Sequence, residues 1–338
     1  MKAIVLVGGE GTRLRPLTET CPKPLLPLLN RPFLHHVLDH LAAHGVHEVV
    51  LSSPYLEEVF HSFIEERRGD PRVTWITEES PLGTGGAIVN ALDHVDDTFF
   101  VLNGDILTDL DLTAMLRFHR DRGAGATIAL TQVDDARPYG LVETDPRGRV
   151  AAFREKPTDP IPGDVNAGTY LLEPGPLEVW DRGRSISVER EVFPTLIARG
   201  TQLYGFLADA YWTDLGTPER YLQGHADLLD GKMLGVSAGA PLVASGASVA
   251  ATASLGRHVV LDDEVEVAAG ATLERTVVHR GARVDEGARV ARSILGPGAR
   301  VGSEAVVEDA ILGEGSSVAA GARLAGERLS PGVLHTSS

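Results

Sequence analysis

Two hydrophobic patterns divide the chain. In its first part, short apolar runs end abruptly at glycine or an acid: KAIVLV from Lys2 to Val7, HEVVLSS from His47, and DTFFVLNGD from Asp97 to Asp105. Continuous apolar runs of this length suit strands buried on both faces. Between the first two, Phe33, Leu34, Val37, Leu38 and Leu41 share a helical face that Pro32 opens and Gly45 stops. Strands alternating with helices predict a Rossmann-like, doubly wound α/β domain, whose ligands lie beyond the carboxyl ends of the strands. The glycines after Leu6 and the acid Asp105 would then face one crevice.

From about residue 242 aliphatic residues recur every six positions: Val243, Val249, Leu255, Leu261, Val267, Leu273, then Val278, Val284, Val290, then Leu295, Val301, Val307, then Leu312, Val318, Leu324. Corresponding positions of successive sets are spaced by 17 residues, and the short Gly/Ala-rich intervals leave no room for helices. Three hexads per turn predict a parallel β-helix of roughly five coils, each stacking its aliphatic ladder on the next. The expected boundaries are a catalytic domain over 1–232, a linker over 233–241, the β-helix over 242–326 and a frayed tail over 327–338.

Composition fits this plan. Of 338 residues, 43% are apolar and 23% charged, as in a globular two-domain protein. A formal net charge of −16 argues against nucleic acid or an anionic membrane as partner, so an anionic ligand would need cations concentrated locally. The lone Cys21 cannot form an internal disulfide. With no signal-like amino terminus and no long apolar run, the expectation is a cytoplasmic protein.

Local cations do occur, in LVGGEGTRLRPLTETCPKPLLPLLNRP, Leu6 to Pro32. Gly8, Gly9 and Gly11 would let backbone N–H groups converge on an anion. Neither the dinucleotide GxGxxG nor the P-loop GxxxxGK[ST] is present. Arg13 follows closely enough for its planar fork to meet a cradled phosphate, and Lys23 lies between Pro22 and Pro24, which would aim its ammonium. Two cations over a triphosphate suit charge developing during phosphoryl transfer. Arg15 reads as a peripheral cation, and Asp109 and Asp111 as caps or solvated acids.

GGEGTRLRPLT followed by PKPLLPLLNRP resembles the signature of the sugar-1-phosphate nucleotidyltransferases. EESPLGTGGAI, NGD, YGLVE, FREKP, NAGTYLLEP, SVEREVFP and YWTDLGTPERYL resemble the mannose-1-phosphate guanylyltransferase branch, with the likeness running over residues 1 to 325. That resemblance implies a GT-A-like catalytic domain built on a mixed sheet, followed by a left-handed β-helix. It implies in-line attack of a sugar-1-phosphate oxygen on the α-phosphorus of a nucleoside triphosphate, with pyrophosphate leaving. Leu6, Gly8, Gly9, Gly11, Thr12 and Gly83 would hold the nucleotide, and Arg13 and Lys23 its transferring phosphates. Asp105 and Asp214 would ligate Mg²⁺, although Asp214 alone also reads as a helix cap before GTPERYL. Lys156 would meet the sugar phosphate, and Gly140, Glu155, Asn166 and Gly168 the sugar hydroxyls.

Family members using thymidine or uridine nucleotides present an amide where this chain has Glu78. A carboxylate only accepts, and guanine offers two adjacent donors, so Glu78 favours GTP, with Glu79 as the other candidate. The leading expectation is GDP-mannose synthesis. The alternatives are GDP-heptose, dTDP-glucose or UDP-glucose synthesis, a non-catalytic nucleotide-sugar-binding subunit, and acyl transfer by the β-helix with His258 or His279 as base. The β-helix is expected to serve homo-oligomer assembly, so that its removal would alter assembly more than phosphate chemistry.

Overall fold

The computed structural model describes every residue except 55, 56, 68, 237, 337 and 338. It forms two compact units: Met1–Gly9 with His36–Trp212, and Glu10–His35 with Thr213–Ser338.

The first unit is built on a nine-stranded mixed sheet. Its strands in chain order are β1 (Lys2–Leu6), β2 (Glu48–Ser53), β3 (Arg72–Thr77), β4 (Phe99–Asn103), β5 (Ala126–Val133), β6 (Gly140–Thr144), β7 (Val150–Glu155), β8 (Gly163–Leu172) and β9 (Leu203–Leu207). The spatial order 7-6-8-4-1-2-3 contains the parallel Rossmann half 3-2-1-4, and β5 and β9 branch from β8. Beside this half the antiparallel β8 turns the sheet mixed. All three apolar runs are strands, and Phe33, Leu34, Val37, Leu38 and Leu41 are buried in α1 (Phe33–Ala43), which α2 (Glu57–Glu66), α3 (Gly83–Asn90), α4 (Leu112–Asp121), α5 (Phe193–Ala198) and α6 (Pro218–Leu229) follow along the chain. Ile4, Val101, Ile128, Tyr170 and Phe193 are at most 1% exposed and belong to one core cluster.

In the second unit the hexads form three stacked parallel sheets of six, six and five strands, a left-handed β-helix. The aliphatics of the expected ladder pair in register, Leu261 with Val278 and Val278 with Leu295. The first step is 18 residues, Leu242 onto Val260, and only the later ones are 17. The cause is one corner: after the third strand of each later coil a single left-handed residue makes the turn, namely Arg275, Arg292, Asp309 and Gly326, with φ of 46, 48, 50 and 69°. That tight turn removes a residue. The ladder also runs past the boundary drawn at 326, since Arg328–Leu329 pairs with Ile311–Leu312 and Leu334–His335 with Ser317–Val318. The expected tail therefore adds rungs, with Leu329 buried on Leu312, whereas Leu334 pairs with Ser317 and is exposed; Ser337 and Ser338 lie outside the described residues, as does Ser237 of the linker.

The units also cut the chain differently from the expected boundary near 232. The segment Glu10–His35 and α6 (Pro218–Leu229) cluster with the β-helix. Tyr221 of α6 donates its hydroxyl to the Pro27 carbonyl, Gln223 accepts from Arg275, and Asn30 Nδ2 donates to Leu261 O at 2.8 Å. These ties join residues about 50 to 230 positions apart, which no local pattern announces.

Leu295 is fully buried in the ladder. Replacing it with alanine is expected to destabilise the β-helix by about 2–5 kcal/mol, through lost burial and a residual cavity. Denaturant unfolding followed by far-ultraviolet circular dichroism measures this, and a midpoint equal to wild type would show the ladder to be slack there.

Candidate active site

In the first unit β1 and β4 are parallel neighbours with Leu6 opposite Asn103, and the Gly104 N–H donates to Leu6 O at 2.9 Å. This is the point where the strand order reverses, where open α/β sheets bind ligands. Gly8 and Gly9 leave one strand end and the half-buried Asp105 its neighbour, as expected from the sequence.

Glu78 is 5% exposed at the end of β3. Its Oε1 accepts from the Ser52 hydroxyl at 2.8 Å and its Oε2 from the Leu82 N–H at 3.0 Å. The carboxylate is therefore fixed in place and has a structural duty that the base-reading argument did not include, whereas Glu79 is exposed. Gly83 opens the helix α3 (Gly83–Asn90), whose Gly85 and Gly86 N–H groups donate to Ile186 O.

The candidate sugar-phosphate residues gather on β7, β6 and β8. Glu155 pairs in register with Gly140, and Lys156 follows with its Nζ 3.8 Å from Glu155 Oε1. Along β8 the register shifts between Asn166 and Tyr170, an irregularity of the kind that re-aims side chains. There Gly168 takes a left-handed φ of 72° with Asn103 Nδ2 2.8 Å from where a Cβ would stand, so only glycine fits. Asn166 Oδ1 accepts from the Gly168 N–H at 2.9 Å, and Asn166 Nδ2 lies 2.9 Å from the Tyr170 hydroxyl. Burial, followed by the charge of Glu189, raises the Glu155 carboxyl above the usual range, while Lys156 draws it down. Burial, then Glu189, pushes the Tyr170 phenol well up, so it stays protonated.

Three of the four catalytic candidates meet within the second unit. Gly11, left-handed at φ 62°, starts the short 3₁₀ turn Thr12–Leu14; a Cβ there would lie 2.8 Å from Thr18 Cγ2. Lys23 begins the turn Lys23–Leu25 and is 8% exposed, with Nζ 3.6 Å from Asp214 Oδ1. Arg220 reaches the other oxygen of Asp214 at 3.0 Å. Gly216 lies against both Arg13 and Asp214, its ideal Cβ position being 2.6 Å from the guanidinium NH2 and 2.7 Å from Oδ1. Lys23 and Arg220 thus hold the two oxygens of Asp214, with Arg13 against the nearby Gly216, so that cations gather locally in an acidic chain. Asp214 is not the cap of α6: Thr217 accepts from the Arg220 N–H instead. Asp111 is a cap, accepting from Ala114 N–H at 2.8 Å.

Asp214 Oδ1 is buried and makes no hydrogen bond among the described residues. A hard oxygen in this condition suits Mg²⁺, which takes one or two carboxylates and completes its shell with water and phosphate. No group of three or more His, Cys, Asp and Glu side chains suited to a metal occurs among the described residues.

Arg15 pairs with Glu10 at 3.3 Å on the surface, and Thr12 is exposed. Burial, helped by Glu314, pushes the Cys21 thiol up to about 12, which makes it a poor nucleophile at neutral pH. His279 is 3% exposed and lowered by burial to about 4, and His258 lies 3.0 Å from Asp230, so neither is presented as an acyl-transfer base. Sequence reasoning gave no role to Glu189, Tyr170 or Arg220. Each sits in a quoted motif, SVEREVFP, NAGTYLLEP or YWTDLGTPERYL, but its partners are distant in the chain.

The reversed strand order, with glycines following β1, is that of the nucleotide-binding class of α/β folds. The Nucleotidyl transferase family profile matches residues 2–231, and the chain belongs to that family. A GMPPB C-terminal domain profile matches residues 237–333. The mannose-1-phosphate guanylyltransferase of Mycobacterium tuberculosis is 43% identical over 290 residues, 84% of this chain and 81% of that protein. Mannose-1-phosphate guanylyltransferase 1 of Arabidopsis thaliana is 38% identical over 300 residues, again 84% of this chain and 82% of the relative. Among solved structures, HddC from Yersinia pseudotuberculosis complexed with GMP-PN is 31% identical, with a TM-score of 0.58 over 66% of this chain and 97% of that one.

Glu189 is hydrogen-bonded by the hydroxyls of Thr84 at 2.9 Å and Ser187 at 2.8 Å. Glu189→Gln removes a charge that raises the Glu155 carboxyl. Glu155 should then ionise at lower pH, and if its ionised form binds the substrate hydroxyls, the acid limb of kcat/KM should move down in pH. A pH–rate profile with limiting sugar phosphate tests this; an unmoved acid limb would separate Glu155 ionisation from turnover.

Proposed function

We propose that the protein transfers the guanylyl group of GTP to mannose-1-phosphate, giving GDP-mannose and releasing pyrophosphate. One observation carries the chemistry: Lys23 and Arg220 each reach an oxygen of Asp214, and Arg13 lies against Gly216 beside it. Cations gathered in this way suit charge-assisted contacts to the oxygens of a triphosphate. Family membership and relatives named mannose-1-phosphate guanylyltransferase support the choice of reaction.

In this reading the glycine segment Leu6, Gly8, Gly9, Gly11 and Thr12, with Gly83, binds the nucleotide through its backbone. Arg13 and Lys23 stabilise charge as the α-phosphorus is attacked in line and pyrophosphate departs. Asp105 and Asp214 would hold Mg²⁺, which when bound neutralises phosphate charge. Each oxygen of Glu78 keeps one lone pair beyond those used by Ser52 and Leu82, enough to accept from guanine N1–H and the exocyclic amine. The HddC structure complexed with GMP-PN supports a guanine nucleotide. Glu155, Asn166, Gly140 and Gly168 bind sugar hydroxyls, and the exposed Lys156 meets the sugar phosphate.

The same reading places the reaction in the cytoplasm, in keeping with a single cysteine, and no described helix is long and apolar enough to cross a membrane. Exposed Val243 at one end of the β-helix and Val333 and Leu334 at the other, at 39, 42 and 59%, support homo-oligomer assembly through that domain.

Pyrophosphate release from a matrix of GTP, ATP, dTTP and UTP against several sugar-1-phosphates tests the substrates. Turnover with GTP and mannose-1-phosphate should dominate; activity with dTTP or UTP and none with GTP would sink the Glu78 argument. Lys23→Ala should lower kcat by about 10²-fold or more, the usual loss for one electrostatic donor of the transition state. Near-wild-type kcat would return Lys23 to a structural role.

A further inference from the structure

We propose that Arg328, in one of the last rungs of the β-helix, is a positioning residue for nucleotidyl transfer and holds the Arg13 turn from behind. The inference rests on the function proposed above. Arg328 NH1 donates to the carbonyl of Arg13 at 2.8 Å and to that of Arg15 at 3.2 Å, across 315 and 313 residues of sequence.

These carbonyls need a donor. The turn Thr12–Leu14 is closed by Leu14 N–H to Gly11 O at 2.9 Å and Arg15 N–H to Thr12 O at 3.3 Å. Those bonds use the carbonyls at its start and leave those at its end, the ordinary condition of a helical terminus. A cation is the favoured donor there. One arginine nitrogen reaching both carbonyls fixes the backbone on either side of Leu14, and so the point from which the Arg13 side chain projects. Arg13 is itself exposed, so its direction depends on that backbone.

A second tie acts at another level of the ladder, where Asn30 Nδ2 donates to Leu261 O at 2.8 Å. Between these ties lies Lys23. The segment bearing both transferring cations thus leans on rungs near each end of the β-helix. This runs against the expectation that the β-helix serves assembly more than chemistry. The strand Arg328–Leu329 keeps its place by pairing with Ile311–Leu312 and by the buried Leu329, 7% exposed, while Arg328 is exposed. Its side chain can therefore be changed without disturbing the rung.

The test compares full-length wild type, Arg328→Ala, Arg328→Lys and the control Arg300→Ala, whose guanidinium bonds Asp285 on the ladder. Steady-state pyrophosphate release, thermal unfolding, light-scattering mass and amide hydrogen exchange over residues 11–25 are measured. Arg328→Ala should lose about ten- to a hundred-fold in kcat, the scale expected when a reacting geometry is displaced. KM for mannose-1-phosphate, Tm and mass should stay unchanged, exchange at Leu14 and Arg15 should quicken, and Arg328→Lys should recover most of the loss. Arg300→Ala should match wild type throughout. Wild-type kcat in Arg328→Ala, with or without faster exchange, overturns the proposal, as does a loss that follows Tm and is not recovered by lysine. Exchange does not depend on turnover, so an inactive Lys23→Ala with an unaffected Arg328→Ala refutes only the positioning role, and an active Lys23→Ala refutes the reading of the reaction.

Discussion

The ion pair of Lys23 with Asp214 is the constraint around which the second unit is organised. An ammonium at 8% exposure is tolerated only if a counter-charge stands close by, and its 3.6 Å approach to Asp214 meets that condition. The rest follows from keeping the two together. Pro22 and Pro24 stiffen the backbone on either side of Lys23, and Gly11 turns where any side chain would strike Thr18. Thr217 starts α6 so that Arg220 can brace the far oxygen of Asp214. Lys23 and Arg220 share that one carboxylate, and with Arg13 against Gly216 the segment gathers cations that suit an anion.

The first unit solves the opposite problem. Its polar cluster carries acids and amides, with Glu155 and Glu189 close enough to raise one carboxyl and with Tyr170 buried among them. Such groups suit a neutral polyol, whose hydroxyls both donate and accept. In the reading proposed above, the triphosphate meets a group of cations and the sugar hydroxyls meet surroundings rich in hydrogen-bond acceptors. The chain's net charge of −16 does not oppose an anionic substrate when the cations are gathered in one short segment.

What can be read from the sequence is what is written locally. Inward positions of the ladder do not require a partner to be recognised: the six-residue recurrence of Leu261, Val267 and Leu273 marks them by itself, and the apolar runs before Gly8 and Asp105 mark the strand ends. The first coil's extra residue is also written in the spacing, Val243 to Leu261 being 18 residues, but only the corner explains it. The attachment of residues 10–35 to α6 and the β-helix is invisible for a different reason, being made through Asn30, Tyr221 and Arg328 to partners 194 to 315 positions away. Glu78 reads from sequence as a contact for the base alone, yet its bonds to Ser52 and Leu82 depend on β2 lying beside β3.

The corner residues Arg275, Arg292, Asp309 and Gly326 set the count of residues per coil, and through it the height of every later rung. Solenoids usually tolerate gain or loss of a repeat, since each repeat contacts only its neighbours. Here a whole coil inserted between Leu261 and Arg328 would leave the ladder intact but lift Arg328 by one inter-strand spacing, about 4.8 Å, away from the carbonyls it holds. The β-helix is in this sense a ruler: its length is bound to the signature loop at one mark near Leu261 and another at Arg328, and evolution can lengthen it freely only beyond them.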